Sequence, residues 1–223
     1  MPEASFLEWF STYAYQPNLV YAAIIFMMFA SSFGLPIPEE ATLVSVGLLA
    51  FLATQTDTYP PPYPDAQSVN KYTLAAVCFV AVFLSDLVVY TIGRVGGYRI
   101  KTSRRLNRLL PPGAMLKAEA WVMKHGALMA GVFRFTPGLR FPGHMTCGML
   151  GLPLWKFILV DGTAALISVP TQILLIAYHG EIILYYLKRF REAVFVLLFL
   201  VVAYFIFKRI WLWRQRKSRV QNV

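Results

Sequence analysis

The chain has 223 residues, of which 57% are hydrophobic and only 14% are charged. Soluble domains carry about 25% charged residues, so this composition predicts an integral membrane protein and excludes an ordinary soluble fold. The formal net charge is +10. Its basic residues lie between and after apolar segments, which is typical of positive-inside membrane topology, and we expect no nucleic-acid partner.

The first apolar segment, residues 19–35, has close to the minimum length for crossing about 30 Å of hydrocarbon. Pro36 and Pro38 then break the helical pattern, and Glu39 and Glu40 interrupt the apolar residues. The apolar stretch that follows, residues 41–53, is too short to cross. The segment therefore predicts one span leading into a re-entrant hairpin over about residues 31–54.

A proline-rich loop separates this hairpin from a second predicted span, residues 72–93, which carries Asp86 near its end. Six basic residues follow between positions 94 and 108. Such a run indicates the cytoplasmic side, so we predict a basic cytoplasmic loop over residues 94–124, with a surface helix over 114–124.

A second broken apolar stretch covers residues 125–152 and contains two arginines. Arg134 and Arg140 flank Pro137-Gly138, and Pro142-Gly143 follows. Proline removes a backbone donor and glycine permits a tight reversal, so the stretch predicts a helix, a turn and a helix. Within a membrane such an interrupted segment must be buried in protein or face a watery cavity. We predict a second re-entrant hairpin here.

The remaining apolar segments predict a third span over residues 154–178 and a fourth over 193–207, followed by a basic tail, 208–223. Placing the basic clusters inside gives a cytoplasmic N-terminus and hairpins that enter from opposite faces. The predicted fold is an all-α integral membrane protein in a single domain, 1–223. It has about four transmembrane helices and two opposed re-entrant hairpins, in an arrangement that resembles an inverted repeat.

The two hairpins carry complementary charges. Guanidinium groups bind phosphate through paired donors, so we predict that Arg134 and Arg140 bind a lipid phosphate, assisted by backbone amides at Gly138 and Gly143. Carboxylates at this depth suit charge pairing or proton coupling. The alternative is that these charges only hold the hairpins together. The acidic candidates are Asp86, Glu40 and, ranked below its neighbour, Glu39.

Motifs of enzymes and metal sites are absent from the sequence. There is no G-x-S-x-G, H-E-x-x-H or P-loop pattern, and the three histidines are widely spaced. The two cysteines, Cys78 and Cys147, lie in apolar segments, which predicts buried thiols. We therefore expect no catalytic residue, metal site or cofactor.

Three ordered motifs resemble the DedA family, also called SNARE-associated or VTT-domain membrane proteins. FGLPIPEEATLVSVGLLA resembles its first hairpin, SDLVVYTIGRVGG its motif around Asp86, and FRFTPGLRFPG its signature with two arginines, at Arg134 and Arg140. Two positions depart from the family pattern. A frequent acidic residue is replaced around residues 30–32, and a usual asparagine is Asp161.

The resemblance implies lipid translocation across the bacterial cytoplasmic membrane, with undecaprenyl phosphate or phosphatidylethanolamine as the substrate and dependence on the proton motive force. Our hypothesis is a lipid transporter whose partners are this lipid and the bilayer; assembly into a homo-oligomer stays open. A membrane scaffold that recruits partners through its basic loop and tail is the alternative. An enzyme acting on lipid phosphates is disfavoured because no nucleophile is evident.

Overall fold

The structure is a computed structural model that describes residues 2–32, 39–101, 113–136 and 139–186. Regular structure in these ranges is helical throughout, which confirms the all-α prediction. The chain divides into two units after Gly180, and every helix named here belongs to the first. The helices are α1 (Pro2–Ser11, followed by a 3-10 turn, Thr12–Tyr15), α2 (Pro17–Ser32), α3 (Glu39–Leu52), α4 (Lys71–Lys101), α5 (Ala114–His125), α6 (Leu128–Arg134), α7 (Arg140–Met149) and α8 (Leu154–Tyr178).

Two of these helices are long and apolar enough to cross a membrane. They are α4 up to Gly97, with 27 residues, and α8, with 25 residues. At 1.5 Å per residue each exceeds the roughly 30 Å of bilayer hydrocarbon. The predicted spans 72–93 and 154–178 are thus matched by continuous helices.

The N-terminal helices give a third candidate crossing. Residues Leu7–Tyr15 and Pro17–Ser32 meet at an angle of 103° and together have the length and composition of a broken span. The predicted first span lies partly in α2, which ends at Ser32. The predicted fourth span, 193–207, and the basic tail, 208–223, lie outside the described residues, so the number of crossings and the single-domain boundary stay predictions.

The break predicted in the first hairpin falls on residues 33–38, which lie outside the described residues. Helix α2 ends at Ser32 and α3 begins at Glu39, on either side of residues outside the described range. Acidic residues in the first turn of α3 suit the positive end of its helix dipole. Most of α3 is buried, and it packs against α8 and α2.

The segment predicted as a basic loop over 94–124 is helical at both ends. Helix α4 continues to Lys101 beyond a non-helical residue, Gly97, whose φ of 47° is in the region that favours glycine. Helix α5 covers Ala114–His125 and buries its apolar face, which agrees with the predicted surface helix. Residues 102–112 lie outside the described range.

The second predicted hairpin is two short helices, α6 and α7, that pack on each other and on longer neighbours. Helix α7 lies along α4, and α6 lies along α8. Two glycines bring α7 and α4 together. A Cβ at Gly148 would overlap the Tyr90 carbonyl, and one at Gly93 would overlap the Met145 carbonyl. Backbone groups cannot rotate away as a side chain can, so these positions set the distance between the helices.

We expect Gly148→Ala to push α7 away from α4 and lower the thermal unfolding temperature of the detergent-purified protein by several degrees. Gly162→Ala is the matched control, because its Cβ would meet only the Phe83 ring, at 3.2 Å. Equal unfolding temperatures for the two variants would contradict the backbone contact.

Candidate functional site

Five charged side chains from five helices meet at one place in the first unit. Glu39 begins α3, Arg134 ends α6 and Arg140 begins α7, so three of them stand at helix ends beside the breaks in the chain. Asp86 and Asp161 come from the middle of α4 and α8. All but Arg140 are buried, and we call the five residues the charged cluster.

Arg134 binds two carboxylates at once. Its Nε and Nη2 donate to Asp161 Oδ1 at 3.3 and 3.2 Å, and Nη2 also donates to Asp86 Oδ2. Its Nη1 lies 3.9 Å from Glu39 Oε1. The side chain is only 3% exposed, so Arg134 is the internal connection between α4, α6 and α8.

Arg140 binds both oxygen atoms of Asp86. Its Nε and Nη2 donate to Asp86 Oδ1 at 3.2 and 3.0 Å, and Nη2 also donates to Oδ2 at 2.8 Å. This is the bidentate arrangement that arginine favours with carboxylate and phosphate. The guanidinium also forms an ion pair with Glu39. Its side chain is 16% exposed, so it is the more accessible of the two arginines.

His144 contacts the charged cluster, although sequence reasoning gave it no role. Its Nδ1 lies 3.2 Å from Asp86 Oδ1 and its Nε2 lies 3.4 Å from Asp161 Oδ1. It follows Arg140 by four residues on α7, and side chains at that spacing share one face of a helix. The four-residue spacing from Arg140 is the sequence feature that indicates a place for His144 beside the cluster.

The ligand atoms of Asp86, His144 and Asp161 lie within 4.8 Å of one another, a geometry compatible with a metal ion. However, the Arg134 guanidinium contacts both carboxylates. It supplies the positive charge that a cation would supply and binds both carboxylates. We therefore describe this group as an ion-paired cluster.

Of the two adjacent glutamates, the structure brings Glu39 to the arginines, whereas the sequence favours Glu40. Glu40 was the preferred candidate, but its side chain is exposed in the first turn of α3. Glu39 is buried and faces the two arginines. Both residues stand one position apart beside the same break, and only the rotation of α3 decides which of them points inward.

The structure does not support the predicted role of the Gly143 amide in phosphate binding. Gly143 lies inside α7, where its amide donates to the Leu139 carbonyl at 2.7 Å and is not free for an anion. A Cβ there would overlap the Phe133 ring, so Gly143 is needed for packing. Gly138 lies outside the described residues.

A buried pair of serines lies near the position where the family resemblance leads us to expect an acidic residue. Ser32, at the end of α2, shares a hydrogen bond of 2.7 Å with Ser85, which precedes Asp86. Both serines are buried. The link ties α2 to α4 next to the charged cluster without adding charge.

These features define an α-helical membrane protein with a buried charged cluster at the ends of broken helices. Comparison with known families gives the same class. The family model of the VTT domain matches residues 37–182, and the chain belongs to this family, the DedA family.

Several uncharacterized membrane proteins are similar to this chain. One from Haemophilus influenzae is 33% identical over 163 residues, which cover 73% of this chain and 69% of the relative. YbfM of Bacillus subtilis is 32% identical over 133 residues, covering 59% and 71%. A protein of Mycobacterium tuberculosis is 25% identical over 176 residues, covering 78% and 75%. No solved structure matches the chain.

Proposed function

We propose that this protein is a multi-pass transporter that moves a phosphate-bearing lipid across the cytoplasmic membrane. Undecaprenyl phosphate and phosphatidylethanolamine are the proposed substrates. The physical difficulty of such transport is the charged head, because a charge in the hydrocarbon costs several kcal/mol. The tails can stay in the lipid, so the protein has only to shelter the head group.

The observation that carries this proposal is the geometry and partial exposure of the Arg140 guanidinium. Its guanidinium is held by carboxylates in the bidentate geometry that also fits phosphate, and it is partly exposed. A lipid phosphate can replace one of these carboxylates without leaving the arginine unpaired. Such an exchange keeps Arg140 paired at each step and avoids the large cost of an isolated buried guanidinium.

The position of the cluster supports the same function. It lies where α6 ends and where α3 and α7 begin, beside the interruptions predicted in the apolar segments. Helix ends in membranes are tolerated where protein or a watery cavity surrounds them, and transporters use such interrupted helices for substrate sites. The proposed site therefore has both the donors and the backbone interruption that head-group binding requires.

Reconstitution into liposomes tests the proposal. Purified protein and fluorescent polyprenyl phosphate or phosphatidylethanolamine are incorporated, and movement between leaflets is followed by quenching from outside. We expect rapid movement with the native protein and at least about a tenfold loss with Arg140→Ala, the size of losing one charge-assisted hydrogen bond.

Lys124→Ala is the matched control, because Lys124 is an exposed cation of α5 that lies outside the charged cluster. It should transport at the native rate. Unchanged transport by Arg140→Ala would overturn the assigned role, and no movement of either lipid by the native protein would overturn the function.

A further inference from the structure

The imidazole of His144 is surrounded by hydrogen-bond acceptors. Its Nε2 lies 3.1 Å from the Ala130 carbonyl oxygen and 3.4 Å from Asp161 Oδ1. Its Nδ1 lies 3.2 Å from Asp86 Oδ1 but has no hydrogen-bond partner among the described residues. The side chain is buried, with only 1% of its surface exposed.

These contacts determine where protons must be. A carbonyl oxygen only accepts hydrogen bonds, so Nε2 must carry a hydrogen to bond Ala130. An ionised carboxylate also only accepts, so a bare Nδ1 would place two acceptors against each other. A second proton between Nδ1 and Asp86 Oδ1 removes that conflict. It makes His144 an imidazolium or Asp86 a carboxylic acid.

A count of charges leads independently to the same proton. Within the described residues the cluster holds three carboxylates and two guanidiniums, which leaves one negative charge in excess. An uncompensated buried charge is strongly unfavourable, so one added proton is what the cluster requires for neutrality. The charged groups in this count come from every packed element, namely Glu39 on α3, Asp86 on α4, Arg134 on α6, Arg140 on α7 and Asp161 on α8.

We propose that His144 and Asp86 form a proton-binding site that holds one proton between Nδ1 and Oδ1 and makes the charged cluster neutral. The presence of this proton rests on geometry and charge alone. Its use in transport rests on the proposed function. An anionic head group adds negative charge beside Arg140 and so favours retention of the proton. Loss of the proton leaves excess negative charge, which favours release of the head group.

Histidine NMR of the purified full-length protein tests the site directly. Nitrogen shifts of labelled imidazoles distinguish rings with one protonated nitrogen from rings with two. His125→Gln and His179→Gln assign the spectrum and act as controls, since both histidines are exposed. An infrared band of a protonated carboxylic acid, assigned by its loss in Asp86→Asn, reports the other location of the same proton.

At neutral pH we expect either two protonated nitrogens on His144 or a protonated Asp86. A His144 ring with one protonated nitrogen, together with an ionised Asp86, would overturn the proton site. This measurement needs no transport, so it is valid whether or not His144→Gln folds.

Liposome transfer at several pH values then tests the role in transport. The native rate should depend on pH, and His144→Gln should lose most of that dependence while His179→Gln keeps it. An unaltered pH profile in His144→Gln would overturn the role. A protonated site in a protein that moves no lipid would overturn the proposed function and leave the proton site standing.

Discussion

Replacing Arg134 by methionine is expected to destabilise the protein by about 3 kcal/mol, the typical cost of removing one partner from a buried ion pair. The guanidinium bonds to Asp86 and Asp161. Without it, both buried carboxylates lose a cationic partner, and Asp161 keeps no guanidinium contact within the described residues. The measurement is the free energy of unfolding in detergent, followed by helical circular dichroism during denaturation.

Two comparisons separate this effect from a simple change in packing. Lys124→Met, on the exposed face of α5, should stay within about 0.5 kcal/mol of the native protein. Combining Arg134→Met with Asp161→Asn should recover part of the loss, because a neutral amide no longer needs a cation. If the double variant is as unstable as the sum of the two single variants, the charges are not coupled as the structure indicates.

Glu39→Gln is expected to lower lipid transport at least about tenfold, whereas Glu40→Gln should transport at the native rate. The two variants make the same chemical change at adjacent positions. Only Glu39 is buried against Arg134 and Arg140, while Glu40 is exposed. Removing the Glu39 charge leaves Arg140 one competitor fewer, so a bound phosphate should be held more tightly and released more slowly.

Binding and transport measured on the same samples reveal that mechanism. Binding of a short-chain lipid phosphate, followed by calorimetry, should be retained or strengthened in Glu39→Gln while transfer between leaflets falls. A loss of transport in Glu40→Gln equal to that in Glu39→Gln would show that the ion pair with the arginines is not what matters.

The charged cluster offers a physical reason for combining arginines with an excess of carboxylates. Two arginines alone would hold a phosphate tightly. Without a bound phosphate, their unpaired buried charges would destabilise the protein. In the proposed transporter, carboxylates would compensate the arginines when no lipid is present and would compete with the phosphate when it is. The shared proton at His144 would then set the balance between these two states.

Part of this arrangement could be predicted from the sequence because it depends on local properties. Apolar length gave the helices at 72–93 and 154–178, and proline with glycine marked the interruption between α6 and α7. Arginines and an aspartate in apolar surroundings identified three members of the cluster, since charges at such positions are rare unless they have partners. The all-helical fold follows from the same requirement for internal backbone hydrogen bonds.

Contacts between helices were not predictable in this way. The sequence marks Asp161 only as a departure from the family pattern, and His144 only as one of three widely spaced histidines. Asp161 belongs to the charged cluster, and His144 contacts it, because α8 and α7 pack around α4. Gly143 was assigned to anion binding from its place beside the turn, but the helix that begins at Arg140 already uses its amide.

The sequence by itself determined that this is an α-helical membrane protein with two interrupted apolar segments and arginines beside the second interruption. Hydrophobic length, helix breakers and isolated charges act within one segment, so no neighbour is needed to interpret them. Only the tertiary structure decided which side chains meet. Successive residues of a helix point about 100° apart, so the choice of Glu39 over Glu40, and the inclusion of His144 and Asp161, depended on how each helix is rotated against its neighbours.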